Sequence, residues 1–188
     1  MLRLKPCELG HHITRIDFAA HAAAGRVHWI FDVDRTILPK GISEVAPEII
    51  TVLREARAAG HIQGLTLVSN VILKQWKPKL LVRLAEVARQ LDVPATHVFA
   101  AGFIDQKPRR GIYRRAMAVM GSRPETTVMV GDQIFTDVWG ANRLGIWSIL
   151  VWPLGKEQAG AEGDHPLTAL KRGPEAYLLR RWGFKRDG

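Results

Sequence analysis

From Val27 onward the chain alternates short β-rich runs with stretches of helical periodicity, and this alternation constrains the fold more than any other feature. Such a rhythm belongs to βαβ units, whose crossovers stack helices on a parallel sheet. The runs predict five strands, at residues 27–32, 64–68, 97–100, 127–130 and 146–151. Helices are predicted to begin near Pro47, Pro78, Arg109 and Thr136, two of them opened by a proline suited to the first helical turn. Leu80, Leu81, Leu84, Val87, Ala88 and Leu91 recur at three- and four-residue intervals and predict a buried helix face. One further helix is expected before Gly25, a loop over residues 155–166, and a C-terminal helix broken at Gly173-Pro174, where the proline lacks an amide donor.

A chain of 188 residues most naturally makes one domain, here residues 1–188, large enough to bury roughly 70% of its unfolded surface. Its 47% apolar and 24% charged content is ordinary for a soluble globular protein. The lone Cys7 cannot form an intramolecular disulfide, and the seven histidines show no metal-ligand spacing. The N-terminus lacks the apolar run of a signal peptide, and the longest apolar stretch, near residues 146–154, is far too short for a membrane span. A cytoplasmic protein is expected, at most peripheral to a membrane. The net charge of +9 attracts nucleic acid, anionic lipid or phosphorylated ligands, although a solvated Arg-rich surface explains it equally well.

In open α/β sheets, functional groups gather past the carboxyl ends of the strands. Those positions hold Asp32, Asp34 and Thr36 after the first run, Ser69 and Asn70 after the second, Lys107 in the next loop, and Asp132 followed by Thr136 and Asp137 after the fourth. A carboxylate pair, a hydroxyl, a lysine and a second carboxylate pair, in that order, match the needs of phosphoryl transfer. Asp32 is placed to attack phosphorus and form an aspartyl phosphate. Asp34, two residues on, can protonate the leaving alcohol and later activate water. Lys107 and Ser69 can balance charge on the phosphoryl oxygens. Thr36 and Asn70 are expected to bind substrate. Converging carboxylates call for a cation, and oxygen ligands beside a phosphate favour Mg2+, held by Asp32, the backbone carbonyl of Asp34 and Asp132, with Asp137 just outside the ligand set.

The segments FDVDRTILP, LVSN, KP, VGDQIFTDVWGANRLG and ILVWPLGK together resemble the haloacid dehalogenase (HAD) superfamily, over nearly the whole chain from about Leu4 to Trp182. The likeness is strongest to the YqeG-like class IIIA phosphatases, a group that includes the fungal mitochondrial phosphatidylglycerophosphate phosphatase. Residues 130–145 are the most specific part. The resemblance implies a three-layer HAD-type Rossmannoid α/β fold with a five-stranded parallel sheet and a magnesium-dependent phosphatase. Arg35 and Val71 depart from the pattern, since a small or amide residue and a second Asn are usual there, and the interval from Asn70 to Lys107 is longer than is typical of the group.

The intervals from Asp34 to Ser69 and from Asn70 to Lys107 are consumed by the expected helices and strands, so no cap domain is expected and the site should lie open. An open site suits a phosphate on a large substrate, and Trp76 among Lys74, Lys77 and Lys79, or the basic aromatic tail from Arg180 to Arg186, could meet anionic lipid. Both features also read as ordinary packing and solvation. Three readings stand: a lipid phosphatase acting on phosphatidylglycerophosphate, the same chemistry on a nucleotide, sugar phosphate or nucleic-acid end, and a non-catalytic RNA-binding protein on a HAD scaffold. The oligomeric state is not legible.

Overall fold

The computed structural model describes residues 4–70, 77–102, 105–155 and 166–184. Its centre is one parallel sheet of six strands: β1 (Glu8–His11), β2 (His28–Asp32), β3 (Gly64–Asn70), β4 (Val98–Ala101), β5 (Thr127–Gly131) and β6 (Trp147–Val151), ordered β1-β6-β5-β2-β3-β4. The five expected strands are present to within a residue or two, and β1 corrects the count. Its sequence, ELGH, carries no β-rich run, and it is held as an edge strand by its neighbour. Glu8 pairs with Ile149, and the Cys7 amide donates to the Ser148 carbonyl at 3.0 Å. Gly10 allows that approach, because a Cβ there would lie 2.7 Å from the Ile149 side chain.

Alternation along the strands builds two cores on opposite faces. Trp29, Phe31, Leu65, Leu67, Val128 and Val130 point to one face, where they join Ile49 and Leu53 of α2 (Pro47–Ala58) and Leu84 and Val87 of α3 (Lys77–Gln90). Ile30, Val68 and Met129 point to the other, against Ile112, Tyr113 and Ala116 of α4 (Arg110–Val119) and Ala141 of α5 (Trp139–Asn142). Phe18 of α1 (Phe18–Ala23), the helix expected before Gly25, packs on Trp29 with ring centroids 4.7 Å apart. The result is three layers, helix on sheet on helix. The α3 stripe is buried from Leu84 onward, but Leu81 is 44% exposed, so it does not belong to that face.

Two expectations about helices change. The helix expected near Thr136 opens earlier, as a wide π-helical turn over Ile134–Val138 that runs into α5. The C-terminal helix α6 (Pro166–Arg181) continues through Pro174 rather than breaking there. A proline costs a helix one hydrogen bond and a steric clash, and tertiary contacts beyond it offset that cost. Glu175 accepts from the Phe135 amide at 3.2 Å, and Leu178, Leu179 and Trp182 pack on Ile134, Val138 and Leu150. Trp182 of the aromatic tail thus lies half-buried on this cluster, with Phe184 against its edge. Lys185, Arg186, Lys74, Trp76, Val71 and most of the 155–166 loop lie outside the described residues. No helix among the described residues is long and apolar enough to cross a membrane.

Candidate active site

The chain leaves β2 for β3 on one side of the sheet and returns through β5 on the other, which opens a crevice at the carboxyl ends of β2 and β5. Asp32 is the last residue of β2, and Asp132 follows β5 directly. Lys107, from the loop between β4 and α4, reaches across. Its Nζ contacts Asp32 Oδ1 and lies 2.7 Å from Asp137 Oδ1. All four residues are buried, none exposing more than 5% of its surface.

Local contacts hold Lys107, Asp137 and Asp32 in place. The Lys107 backbone is gripped by the Asn70 side chain, which accepts from its amide at 2.9 Å and donates to its carbonyl at 3.2 Å. Asp137 folds back over the end of β5 and accepts from the Gln133 amide at 3.1 Å. Gly131 makes room for that fold, since a Cβ there would stand 2.3 Å from Asp137 Cγ. Tyr113, fully buried, donates to the Thr136 carbonyl at 2.7 Å and fixes the turn from beneath. Thr36 donates to Asp32 Oδ2 at 3.4 Å.

Burial dominates the electrostatics. It drives the Asp32 carboxyl well above its usual pKa, with Asp137 and Asp132 adding to the rise and Lys107 opposing it. For Lys107 burial disfavours the ammonium, but Asp137 and Asp32 outweigh that and hold its pKa above the ordinary lysine value. Tyr113 is raised chiefly by burial and then by the same two aspartates, so its phenol stays a neutral donor.

Oxygens of Asp32, Asp132 and Asp137 lie within 4.8 Å of one another. A magnesium ion bound at about 2.1 Å has opposite ligands about 4.2 Å apart, so a small closure of the three side chains would bring them into range. The donor set therefore fits a hard divalent cation, and Asp137 belongs to the same group of carboxylates as Asp32 and Asp132.

Asp34 is held by a separate pair of contacts. Its Oδ2 accepts from the Ser69 hydroxyl at 3.0 Å, and its Oδ1 lies 2.7 Å from a guanidinium nitrogen of Arg83 on α3. Ser69 is thereby directed at Asp34, and the contacts of Asn70 and Thr36 tie them to Lys107 and Asp32. Arg83 was not legible in the sequence, because nothing in its spacing links the α3 surface to Asp34. Arg35 is 98% buried, with φ of 65°, a left-handed value that L-residues other than glycine seldom adopt. Its amide donates to the Leu38 carbonyl and its carbonyl accepts from the Leu154 amide, both at 2.8 Å, so the strained residue turns the chain sharply after Asp34.

A doubly wound parallel sheet with an aspartate ending its central strand, a lysine in a following loop and a second aspartate pair past the neighbouring strand defines a class of phosphoryl-transfer fold. A family model described as HAD-hydrolase-like matches residues 105–169. The probable phosphatase YqeG of Bacillus subtilis is 30% identical over 159 residues, 85% of this chain and 78% of that protein. The chain belongs to the HAD superfamily, among the YqeG-like phosphatases. A glyceraldehyde 3-phosphate phosphatase of Methanothermobacter thermautotrophicus is 33% identical over 120 residues, 63% of this chain. The chain spans only 48% of that protein's length. In fold it is similar to a protein of Listeria monocytogenes serotype 4b, with a TM-score of 0.51 and 19% identity over 81% of this chain and 97% of that one.

Proposed function

We propose that the chain hydrolyses a phosphate monoester by passing the phosphoryl group first to Asp32 and then to water. The observation that carries this reading is the buried meeting of Asp32, Lys107, Asp132 and Asp137 at the crevice between β2 and β5. An Asp32 oxygen attacks phosphorus, the bond to the leaving oxygen breaks, and Asp34 gives that oxygen its proton. Water then attacks the aspartyl phosphate, Asp34 takes its proton, and the bond from phosphorus to Asp32 breaks. Lys107 balances the charge on the transferring group. Ser69 serves through Asp34 as well as toward phosphate, while Thr36 and Asn70 border the substrate. Asp32, Asp132 and the Asp34 carbonyl would hold Mg2+, with Asp137 beside them, and the ion would neutralise developing charge on the phosphoryl oxygens.

The site is read as open, without a cap. Support comes from the intervals around it: residues 35–68 hold α2 and most of β3, and the described part of 71–106 holds α3 and β4. Together with the charge of +9, this favours a substrate at an anionic surface inside the cell, with phosphatidylglycerophosphate the leading lipid. The glyceraldehyde 3-phosphate phosphatases among its relatives favour a second reading, a small soluble sugar phosphate. Turnover with Mg2+ on phosphatidylglycerophosphate in vesicles, and on sugar phosphates and nucleotides in solution, separates them. The lipid reading expects salt-sensitive vesicle binding and fastest turnover on the lipid. Protein that stays in the supernatant and prefers a soluble phosphate would overturn it.

A further inference from the structure

We infer that Arg83 is a positioning residue for the acid–base group Asp34, holding its carboxylate where it can serve the leaving oxygen. This rests on the phosphatase reading. Arg83 bridges two parts of the molecule that must keep register for Asp34 to work. One terminal nitrogen of its guanidinium is 2.7 Å from Asp34 Oδ1, and its Nε donates to the Ile42 carbonyl at 2.7 Å. The Arg83 and Asp34 side chains are 13% and 24% exposed, so this pair is screened less than a surface ion pair.

The Ile42 contact makes Arg83 more than an ion-pair partner. Residues 39–46 follow the nucleophile segment, and α3 lies along them through further hydrogen bonds. Gln90 accepts from the Val45 amide at 2.8 Å and donates to the Ser43 carbonyl at 2.8 Å. Arg83 is the point on this seam that reaches the site. Ser69 donates to Oδ2 while Arg83 forms an ion pair with Oδ1, so each oxygen of Asp34 faces a different partner. A planar guanidinium can serve Asp34 and Ile42 through separate nitrogens, whereas a lysine would have to bring one nitrogen within reach of both.

A residue that orients the acid matters in proportion to the proton that the leaving group needs. The test compares kcat/KM, which reports on steps through phosphoryl transfer to Asp32, for an alkyl phosphate and for p-nitrophenyl phosphate, whose leaving group departs without a proton. Asp34→Asn is expected to lose about 10²- to 10⁴-fold on the alkyl substrate and far less on the aryl one. Arg83→Met should show the same selectivity, with an alkyl loss on the order of tenfold, and Arg83→Lys should recover part of it. The double variant should be no slower than Asp34→Asn alone, because Arg83 acts through Asp34. Thermal melts accompany each variant. Equal losses on both substrates, or losses that multiply in the double variant, would overturn the proposal. If the wild-type protein with Mg2+ hydrolyses neither substrate, the phosphatase reading fails first, and that result differs from an active wild type with an unselective Arg83→Met.

Discussion

Lys107 touches Asp32 and Asp137 together, so the position of one aspartate depends on the other. Gly131 is where that dependence is most exposed to substitution. A methyl group there would overlap Asp137 Cγ at 2.3 Å and push the carboxylate off Lys107. Gly131→Ala is expected to lower kcat by about tenfold to a hundredfold, because displacements near 1 Å cost that much in a preorganised site. Strain should cost it about 1–3 kcal/mol of stability. Steady-state kinetics and a thermal melt check both, and unchanged kinetics would contradict the arrangement. At this scale the sequence was most legible at the strand ends, where Asp32 and Asp132 follow from the fold rhythm, with Lys107 in the loop after β4. How close Asp137 comes to Asp32 and Asp132 was less legible, because a spacing of five residues does not reveal that a wide turn folds it back. Arg83 was invisible for a different reason, since its partner is brought to it only by packing of α3 on the loop after β2.

Among the elements, β1 is held by pairing with β6 and by side-chain contacts rather than by its own propensity. Glu8 Oε2 accepts from Nε2 of buried His21 on α1 at 3.0 Å, while Arg26 Nε donates to His21 Nδ1 at 3.1 Å. That network assigns the proton to Nε2, so a neutral imidazole suffices. The His21 hydrogen bond is the main cause that lowers the Glu8 pKa below its reference value of 4.5. A carboxyl lowered in the folded state stabilises above the unfolded pKa, and that contribution fades as pH falls through the lower folded value. Glu8→Gln should therefore melt below wild type at neutral pH, by no more than about 1 kcal/mol because the glutamate is partly solvated. The gap should close under strongly acid conditions. A gap that stays constant with pH would show that shape rather than charge joins β1 to α1. The helices were legible where they begin with proline and bury a stripe, as at Pro47. The sequence misled at Pro174, where contacts from Glu175 and the following leucines override a local breaker.

For the whole molecule, alternation of strand and helix was enough to give a layered α/β fold with its site at the strand ends, because parallel strands require crossovers and crossovers require helices. The edge strand escaped because it has no apolar pattern of its own. The central claim is that Asp32 becomes phosphorylated during turnover. The most direct measurement mixes the protein with a radiolabelled phosphate monoester and Mg2+, quenches in acid and maps the label. An acid-stable, hydroxylamine-sensitive label is expected on the peptide carrying Asp32, absent when the metal is chelated. Asp32→Asn should carry no label, stay folded by circular dichroism, and turn over roughly a thousandfold more slowly or worse, equivalent to about 4 kcal/mol of barrier. Label on another residue, or turnover near wild type in Asp32→Asn, would contradict it.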